Sequence, residues 1–350
     1  MRPEKVTISS SEKLEFVGSL STMLTAGIPI LEVVNSLRED MKGGQKIILD
    51  TMFDDLMQGK HIHQTLIKFT QVFDKVTVNV IKASEEAGTL DVTLRDLKRT
   101  IQKDIEFNDK VRSAMMYPIF IMVVFIGVMV MILTFVVPKI STVFLRMHVT
   151  LPLPTRMMIY VSDLLLKHTI PVVSGAIAII SMLYILYKKQ KAAVLDILFS
   201  LPVISTLVEQ IDITRFSRSL YLLLSSGLPI TQALELTKDV VAKRKTSKII
   251  AHSREMVFSG KSLSEGFREA RGYIPSIMIK LMEAGEKTGS LDKSMSDISE
   301  YFDYQVTNTL KTLTALLEPI MLVFVGIAVG GMMLAIISPI YGLISQVGTR

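Results

Sequence analysis

The sequence predicts an all-α membrane protein with two similar cytoplasmic bundles of about six helices each and three transmembrane helices. Three observations support this prediction. Segments of the chain recur about 200 residues later, three long stretches are apolar and free of charge, and the apolar spacing elsewhere is helical. The 350 residues are 49% hydrophobic and 21% charged, and the mean hydropathy is +0.43. This mixture is typical of apolar spans set between water-soluble segments.

The recurrence indicates an internal duplication. The offset between matching residues is 200 in the early part and 201 afterwards, so the second copy contains one inserted residue. Because this period is too long for a solenoid, each copy is expected to be a domain. The matching glycines and prolines are Gly27, Pro29, Gly88, Gly227, Pro229 and Gly289.

The Gly-x-Pro element predicts a tight corner between two helices. Gly27 would end the first helix in a left-handed conformation, which a residue without Cβ adopts without steric cost. Pro29 would begin the next helix, where the missing N–H costs nothing. Gly88 would end the fifth helix, and Thr89 would then cap the last one, with Asp91 in its first turn.

Each apolar stretch is long enough to cross a bilayer, which takes roughly 20 residues. The middle stretch is the shortest, so a buried core helix is its main alternative. The predicted segments, in order, are a cytoplasmic bundle at 1–112, a first span at 113–138, an extracytoplasmic loop at 139–168, a second span at 169–188, a second cytoplasmic bundle at 189–317, a third span at 318–340 and an extracytoplasmic tail at 341–350.

The orientation follows from the basic residues that precede the first span and follow the second. They place the N-terminus and both bundles in the cytoplasm of a multi-pass membrane protein. The first 13 residues are polar and charged, which argues against a secretory signal peptide. A net charge of +6 is explained by this bias and by membrane lipid, without nucleic acid. The lack of cysteine suits a reducing compartment.

Both membrane entrances contain proline. The last helix of copy one is expected to continue into the first span with a bend at Pro118. The matching entrance of copy two contains Glu318 and Pro319, and Glu318 lies too shallow to hold an ion at mid-membrane. Within the third span, Gly326 and Gly330 form a GxxxG pattern that allows close helix packing. Packing on the first span and homodimerisation are both compatible with it.

Patterns typical of catalysis or cofactor binding are missing from the sequence. His61 and His63 are two residues apart, so on a helix they would face away from each other, and we interpret them as solvated. Gly260-Lys261 resembles the end of a phosphate-binding loop, but position 255 is Glu where that loop requires glycine. We therefore expect no enzyme activity, no cofactor and no metal ligands of standard spacing.

Acidic residues at the end of the fifth helix recur in both copies. Glu85 corresponds to Glu286, and Glu283 lies one turn earlier in copy two. Such acids could contact a basic partner or a calcium ion, or they could lie at a solvated helix end.

Several motifs together resemble one known family. They are Phe216-Ser217-Arg218-Ser219-Leu220, Ser226-Gly227-Leu228-Pro229-Ile230, Leu151-Pro152-Leu153-Pro154-Thr155-Arg156, Leu201-Pro202-Val203-Ile204, Glu318-Pro319 and Gly285-Glu286 with Gly289-Ser290-Leu291. In combination they resemble the bacterial GspF/PilC family of inner-membrane platform proteins over residues 12 to 345. The chain departs from the family in a short N-terminal tail and in having Ser84-Glu85 where copy two has Gly285-Glu286.

The resemblance implies a non-enzymatic scaffold of a type IV pilus or type II secretion machine. Its implied partners are the cytoplasmic assembly ATPase, pilins or pseudopilins, and inner-membrane alignment proteins, and the chain is expected to form a homo-oligomer. A membrane channel or transporter subunit built from parallel repeats is the alternative. Repeats of transporters usually have inverted topology, and charge-free spans offer no ion path. The choice among pilus, competence and secretion systems stays open.

Overall fold

The computed structural model describes residues 5–146, 152–168 and 202–347, together with 170–171, 174–175, 178 and 181–182. The chain divides into two compact units. The first unit comprises Met1–Lys110 and Ser205–Thr309, and the second comprises Val111–Ile204 and Leu310–Arg350. The first unit therefore contains both copies of the bundle, and the second contains the apolar stretches.

The helices of the described residues follow the predicted order. They are α1 (Ser10–Thr25), α2 (Ile30–Asp40), α3 (Gly43–Met57), α4 (Ile62–Leu66), α5 (Lys75–Ala87), α6 (Leu90–Met131), a π-helix (Ile132–Val136), α7 (Val137–Arg146), α8 (Leu153–Lys167), α9 (Pro202–Ser225), α10 (Ile230–Thr237), α11 (Arg244–Phe258), α12 (Leu263–Arg268), α13 (Ser276–Thr288) and α14 (Leu291–Val347). The described residues form no β-strand, which confirms the all-α class. Helices α1–α6 and α9–α14 are the two copies.

The Gly-x-Pro corners join the first two helices of each copy. Gly27 has φ 83° and Gly227 has φ 86°, so both lie in the left-handed region that favours glycine. The N–H of Leu228 donates to the carbonyl of Leu223 at 3.0 Å, and this bond closes the end of α9. Pro29 has extended backbone and is the N-cap of α2, which begins at Ile30, one residue later than predicted.

Each bundle has its own apolar core. Copy one buries Phe16, Leu20 and Leu49. The core of copy two also contains Val76 and Val80, which come from α5 of copy one. The two bundles are therefore packed against each other inside the first unit.

The second unit contains two helices that are long and apolar enough to cross a membrane, within Leu90–Val143 and Leu291–Ile337. Their most apolar segments are 0% and 11% buried, whereas the core helix of a soluble domain is mostly buried. Both positions agree with the first and third predicted spans. The second predicted span, 169–188, lies mostly outside the described residues. Phe125 and Phe324 contact each other edge to face, with ring centroids 5.7 Å apart.

The segment 139–168, which the sequence analysis takes for a loop, is largely helical where the structure describes it. Helix α7 extends to Arg146 and α8 occupies Leu153–Lys167. Met158 of α8 packs with Val137 and Ala335 in a small apolar core. Helix α8 therefore packs against both long apolar segments, and the predicted connection between the spans contains helix; its extracytoplasmic position stays a prediction. The structure places Pro152 at the N-cap of α8 and Pro154 in its first turn, where proline is tolerated.

Helix α8 donates hydrogen bonds to carbonyls that two prolines leave without a donor. In the π-helix the N–H of Val137 donates to Ile132, five residues back. In this register Leu133 would be paired with residue 138, but Pro138 has no N–H. The hydroxyl of Ser162 donates to the Leu133 carbonyl instead, at 2.5 Å.

In the second repeat a side-chain hydroxyl likewise takes the place of the N–H donor that proline lacks. In α14 the carbonyl of Ala335 faces position 339, which is the proline that corresponds to Pro138. The hydroxyl of Thr155 donates to this carbonyl at 2.6 Å, and Thr155 is 0% exposed. One helix therefore satisfies both carbonyls that the duplicated proline leaves unpaired.

Candidate functional site

The contact between the two bundles involves α5 and α6 of copy one and α9, α10 and α14 of copy two. Its apolar part consists of Val76 and Val80, which are 9% and 0% exposed and pack in the core of copy two. Because Val76 and Val80 are four residues apart on α5, they lie on one face of that helix. This face binds copy two, and the opposite face packs in copy one.

Arg218 is the central polar residue of this contact. Its side chain is only 9% exposed, and it bridges the last helices of the two copies. One guanidinium nitrogen donates to Asp104 of α6 at 2.6 Å, and another donates to Asp303 of α14 at 3.1 Å. A buried arginine that forms two charge-assisted hydrogen bonds fixes the relative position of the helices it joins.

Further polar contacts surround Arg218. The hydroxyl of Tyr221 donates to Asp96 at 3.0 Å. Burial, together with the negative charge of Asp96, raises the pKa of Tyr221 to about 12. Lys103 and Glu300 form an ion pair at 3.1 Å on the exposed side of the same contact. The interface thus has an apolar centre and a polar edge, as protein interfaces usually do.

A cleft of about 430 Å³ opens beside this contact, between the two bundles. Its charged lining residues are Lys13, Asp74, Lys75, Asp104, Arg215, Arg218 and Asp239. Since cationic and anionic side chains occur in similar numbers, the cleft has no strong preference for the charge of a ligand. Among the described residues, no group of three His, Asp or Glu side chains is arranged to hold a metal ion.

The acids predicted at the end of the fifth helix are hydrogen-bonded inside their own bundles. Glu85 accepts from the N–H groups of Ile62 and His63, at 2.6 and 3.0 Å. Glu286 accepts from the N–H groups of Leu263 and Ser264 in the same way. Each carboxylate therefore caps the N-terminus of the short fourth helix of its copy.

Glu283 differs from these two caps. It accepts from Arg268 at 2.7 Å and from Lys287 at 2.8 Å, and its side chain remains 34% exposed. These charged neighbours lower its pKa. Of the three acids, Glu283 is the one that a partner could still reach.

The two histidines do not face away from each other. His61 precedes α4, so helical spacing does not apply to it, and its ring stacks on that of His63 with centroids 5.6 Å apart. The Nδ1 of His63 lies 2.6 Å from Glu85, and its side chain is 16% exposed. The prediction of a solvated residue is wrong for His63, because the capping carboxylate draws it against the bundle.

The residues predicted at the membrane entrances lie inside continuous helices. Helix α6 continues through Pro118, and α14 continues through Glu318 and Pro319. At Gly326 and Gly330 an added Cβ would meet no atom of the described chain within 4 Å. The described first span therefore does not pack on this face, and homodimerisation through it stays a prediction.

The duplicated bundles, their shared core and the two long apolar helices define a helical membrane protein with two repeated domains. The family model of type II secretion system protein F matches residues 16–138 and 216–339, which are the two copies. The chain belongs to this family.

Individual relatives extend the similarity to nearly the whole chain. The type IV pilus assembly protein PilC of Thermus thermophilus is 31% identical over 342 residues, which cover 96% of this chain and 83% of that protein. The PilC protein of Myxococcus xanthus is 28% identical over 339 residues, or 96% and 81%. The type II secretion system protein F of Pseudomonas aeruginosa is 28% identical over 339 residues, or 94% and 82%. The resemblance drawn from the motifs is confirmed.

Proposed function

We propose that the chain is a non-enzymatic inner-membrane platform of a type IV pilus or type II secretion machine. In this role its bundles bind a cytoplasmic assembly ATPase and transmit that enzyme's motion to pilins or pseudopilins. The family and the names of the relatives support the machine. The sequence bias of basic residues supports a cytoplasmic N-terminus.

The observation that carries this proposal is the packing of the two bundles on each other. A force applied to either bundle reaches the other through Val76, Val80 and Arg218. Helices α6 and α14 each contain bundle residues and membrane-spanning residues in one element. Motion of the bundles is therefore carried into the membrane by two stiff helices.

A channel or transporter is the weaker proposal. The first and third spans contain no Asp, Glu, Lys or Arg between 113 and 138 or between 319 and 349. A pathway for an ion or proton usually requires such groups. The hydroxyls of Ser162 and Thr155 are bonded to backbone carbonyls and so are not free to bind a solute.

Two matching surface positions allow the ATPase contact to be tested. Met57 and Phe258 occupy the same repeat position, at the ends of α3 and α11, and are 63% and 81% exposed. The chain has no cysteine, so a single cysteine at either position labels one bundle alone. We expect both variants to cross-link to the assembly ATPase in cells that produce it.

The control is the same pair of variants in a strain that lacks the ATPase. Deletion of the gene is expected to abolish pili or secretion. If neither bundle cross-links to the ATPase and the deletion strain keeps its pili and secretion, the proposed function is wrong.

A further inference from the structure

The contact between the two copies joins one face of the repeat to a different face. In copy one it uses α5 and α6, and we call this the donor face, comprising Val76, Val80, Asp96, Thr100, Lys103 and Asp104. In copy two it uses α9, α10 and the Glu300 side of α14, and we call the α9–α10 part the acceptor face, comprising Arg218, Tyr221, Leu222 and Leu236. Such a head-to-tail contact leaves one face of each kind unused.

The unused donor face is on α13 and α14 of copy two. Ile277 is 40% exposed, whereas the matching Val76 of copy one is 9% exposed. Leu281 is half-buried, whereas Val80 is fully buried. Tyr301 and Tyr304 of α14 are also exposed, at 41% and 64%. This face therefore presents three exposed large side chains, Ile277, Tyr301 and Tyr304, beside the partly buried Leu281.

The unused acceptor face is on α1 of copy one. A groove of about 570 Å³ runs along it, lined by residues of copy one alone, among them Leu14, Gly18, Ser19, Thr22, Met23 and Lys98. Its lining combines apolar residues (Leu14, Met23), small residues (Gly18, Ser19) and two charged residues, Glu15 and Lys98. The matching surface of copy two is partly covered by copy one and otherwise lines the cleft beside Arg218.

Compared with the used faces, the unused donor face has larger side chains and the unused acceptor face has smaller ones. On the donor face, the residues that replace Val76, Val80, Thr100 and Lys103 are Ile277, Leu281, Tyr301 and Tyr304. On the acceptor face, those that replace Arg218, Tyr221, Leu222 and Leu236 are Gly18, Ser21, Thr22 and Ser36. Larger apolar and aromatic residues on one face thus meet smaller residues on the other, which preserves the volume that a close-packed contact must fill.

The charges of the two unused faces differ from those of the used contact. In the used contact Arg218 supplies a cation, and Asp96 and Asp104 supply anions. Copy one has Gly18 at the position of Arg218, but the stem of Lys98 lies against it, with Cε 3.4 Å from an added Cβ. Copy two has an exposed aspartate, Asp297, at the position of Asp96. The groove therefore contains one cation, Lys98, and one anion, Glu15, while the donor face offers Asp297 and has Gln305 at the position of Asp104.

We propose that the α13–α14 face of one chain binds the α1 groove of a second copy of the chain. The contact repeats between chains the one that already joins the two bundles within a chain. Because it is head-to-tail, it builds a ring or an open row and not a two-fold dimer. The proposal does not depend on the ATPase contact or on the machine that the chain serves.

Cysteine cross-linking of the full chain in membranes tests this arrangement. Two differently tagged chains are co-produced, one carrying Ile277→Cys and the other carrying Thr22→Cys. We expect a cross-linked pair that contains both tags, and little cross-linking between two chains that both carry Ile277→Cys. Cross-linking only between identical cysteines would indicate a two-fold contact and would overturn the proposal, as would no cross-linking at all.

A charge variant gives a second, independent measurement. Ile277→Arg is expected to reduce the mass of the detergent-solubilised oligomer, measured by light scattering, by a factor of two or more. Phe258→Arg is the matched control, since Phe258 is a more exposed apolar residue of the same bundle outside both faces. It should leave the mass unchanged. An unchanged mass for Ile277→Arg in a folded chain contradicts the proposal.

Discussion

At the scale of single residues, the structure shows how a carboxylate can stabilise a helix that is distant in sequence. Glu85 and Glu286 each accept from two N–H groups that lie 22 and 23 residues earlier in the chain. The fourth helices that they cap have five and six residues. Helices this short are unstable alone, so their first N–H groups need a fixed acceptor.

Removal of the cap should therefore cost more than removal of a surface pair. We expect Glu286→Ala to lower the free energy of unfolding by about 1–3 kcal/mol, because two N–H groups lose their acceptor. Glu283→Ala, three residues away on the same helix, should cost much less than Glu286→Ala, since its ion pairs are exposed to solvent. Urea unfolding of the purified chain measures both, and equal losses would contradict the capping role.

Asp55 makes the stability of copy one dependent on pH. Burial by itself raises the pKa of this carboxyl, but hydrogen bonds from Lys68, Lys60 and Thr65 outweigh it and lower the pKa to about 2. A carboxyl with a depressed pKa in the folded state contributes stability above its unfolded pKa, near 4, and loses it as the pH falls towards 2.

We therefore expect the chain to lose about 2 kcal/mol of stability from Asp55 between pH 4 and pH 2. Asp55→Asn should remove this part of the pH dependence. Asp54→Asn is the matched control, because Asp54 is the exposed neighbour of Asp55 and should keep the wild-type slope. Thermal unfolding across this pH range measures the slopes, and identical slopes for Asp55→Asn and wild type would rule out this role.

At the scale of elements, α8 explains how the apolar helices tolerate a proline. A carbonyl that loses its donor in an apolar environment costs several kcal/mol unless another group bonds to it. Ser162 and Thr155, seven residues apart and thus two turns along one face of α8, supply the two missing bonds. Each copy of the duplicated proline thus depends on α8, the helix between them, which supplies a hydroxyl donor to each unpaired carbonyl.

The link between Ser162 and Pro138 can be measured as a coupling energy. Ser162→Ala should destabilise the chain by about 1–3 kcal/mol, because the Leu133 carbonyl loses its donor. In a Pro138→Ala background the same change should cost less, since residue 138 then has its own N–H. Thr142→Val is the control, because its hydroxyl bonds only to the nearby Lys139 carbonyl on an exposed surface. Equal costs in both backgrounds would contradict the coupling.

At the scale of the whole molecule, the two copies are similar in sequence but unequal in role. Copy one uses its α5–α6 face to bind copy two, and copy two uses its α9–α10 face in return. Arg218 is the residue on which this asymmetry depends, because copy one has Gly18 at the matching position. A duplication followed by such a change converts two equal domains into an ordered pair.

Loss of Arg218 should loosen the two bundles from each other. We expect Arg218→Met to lower the free energy of unfolding by about 1–3 kcal/mol and to increase amide hydrogen exchange in both α5 and α9. Lys103→Met removes an ion pair of the same interface whose side chains are 40% and 66% exposed, and it should cost about 0–1 kcal/mol. Faster exchange confined to α9 would show that Arg218 supports its own bundle alone.

The sequence by itself determined the helical class, the duplication, the two long apolar helices and the family. These depend on local spacing, apolar length and a constant offset, all of which can be read along the chain. The roles of Glu85 and Glu286 as caps, of Ser162 and Thr155 as donors and of Arg218 as a bridge were decided only by the tertiary structure. Each joins groups that are 22 or more residues apart, and no local periodicity reports which distant backbone group lacks a partner. The helical α8 was missed for a related reason, because its stability comes from packing and hydrogen bonds to two distant helices.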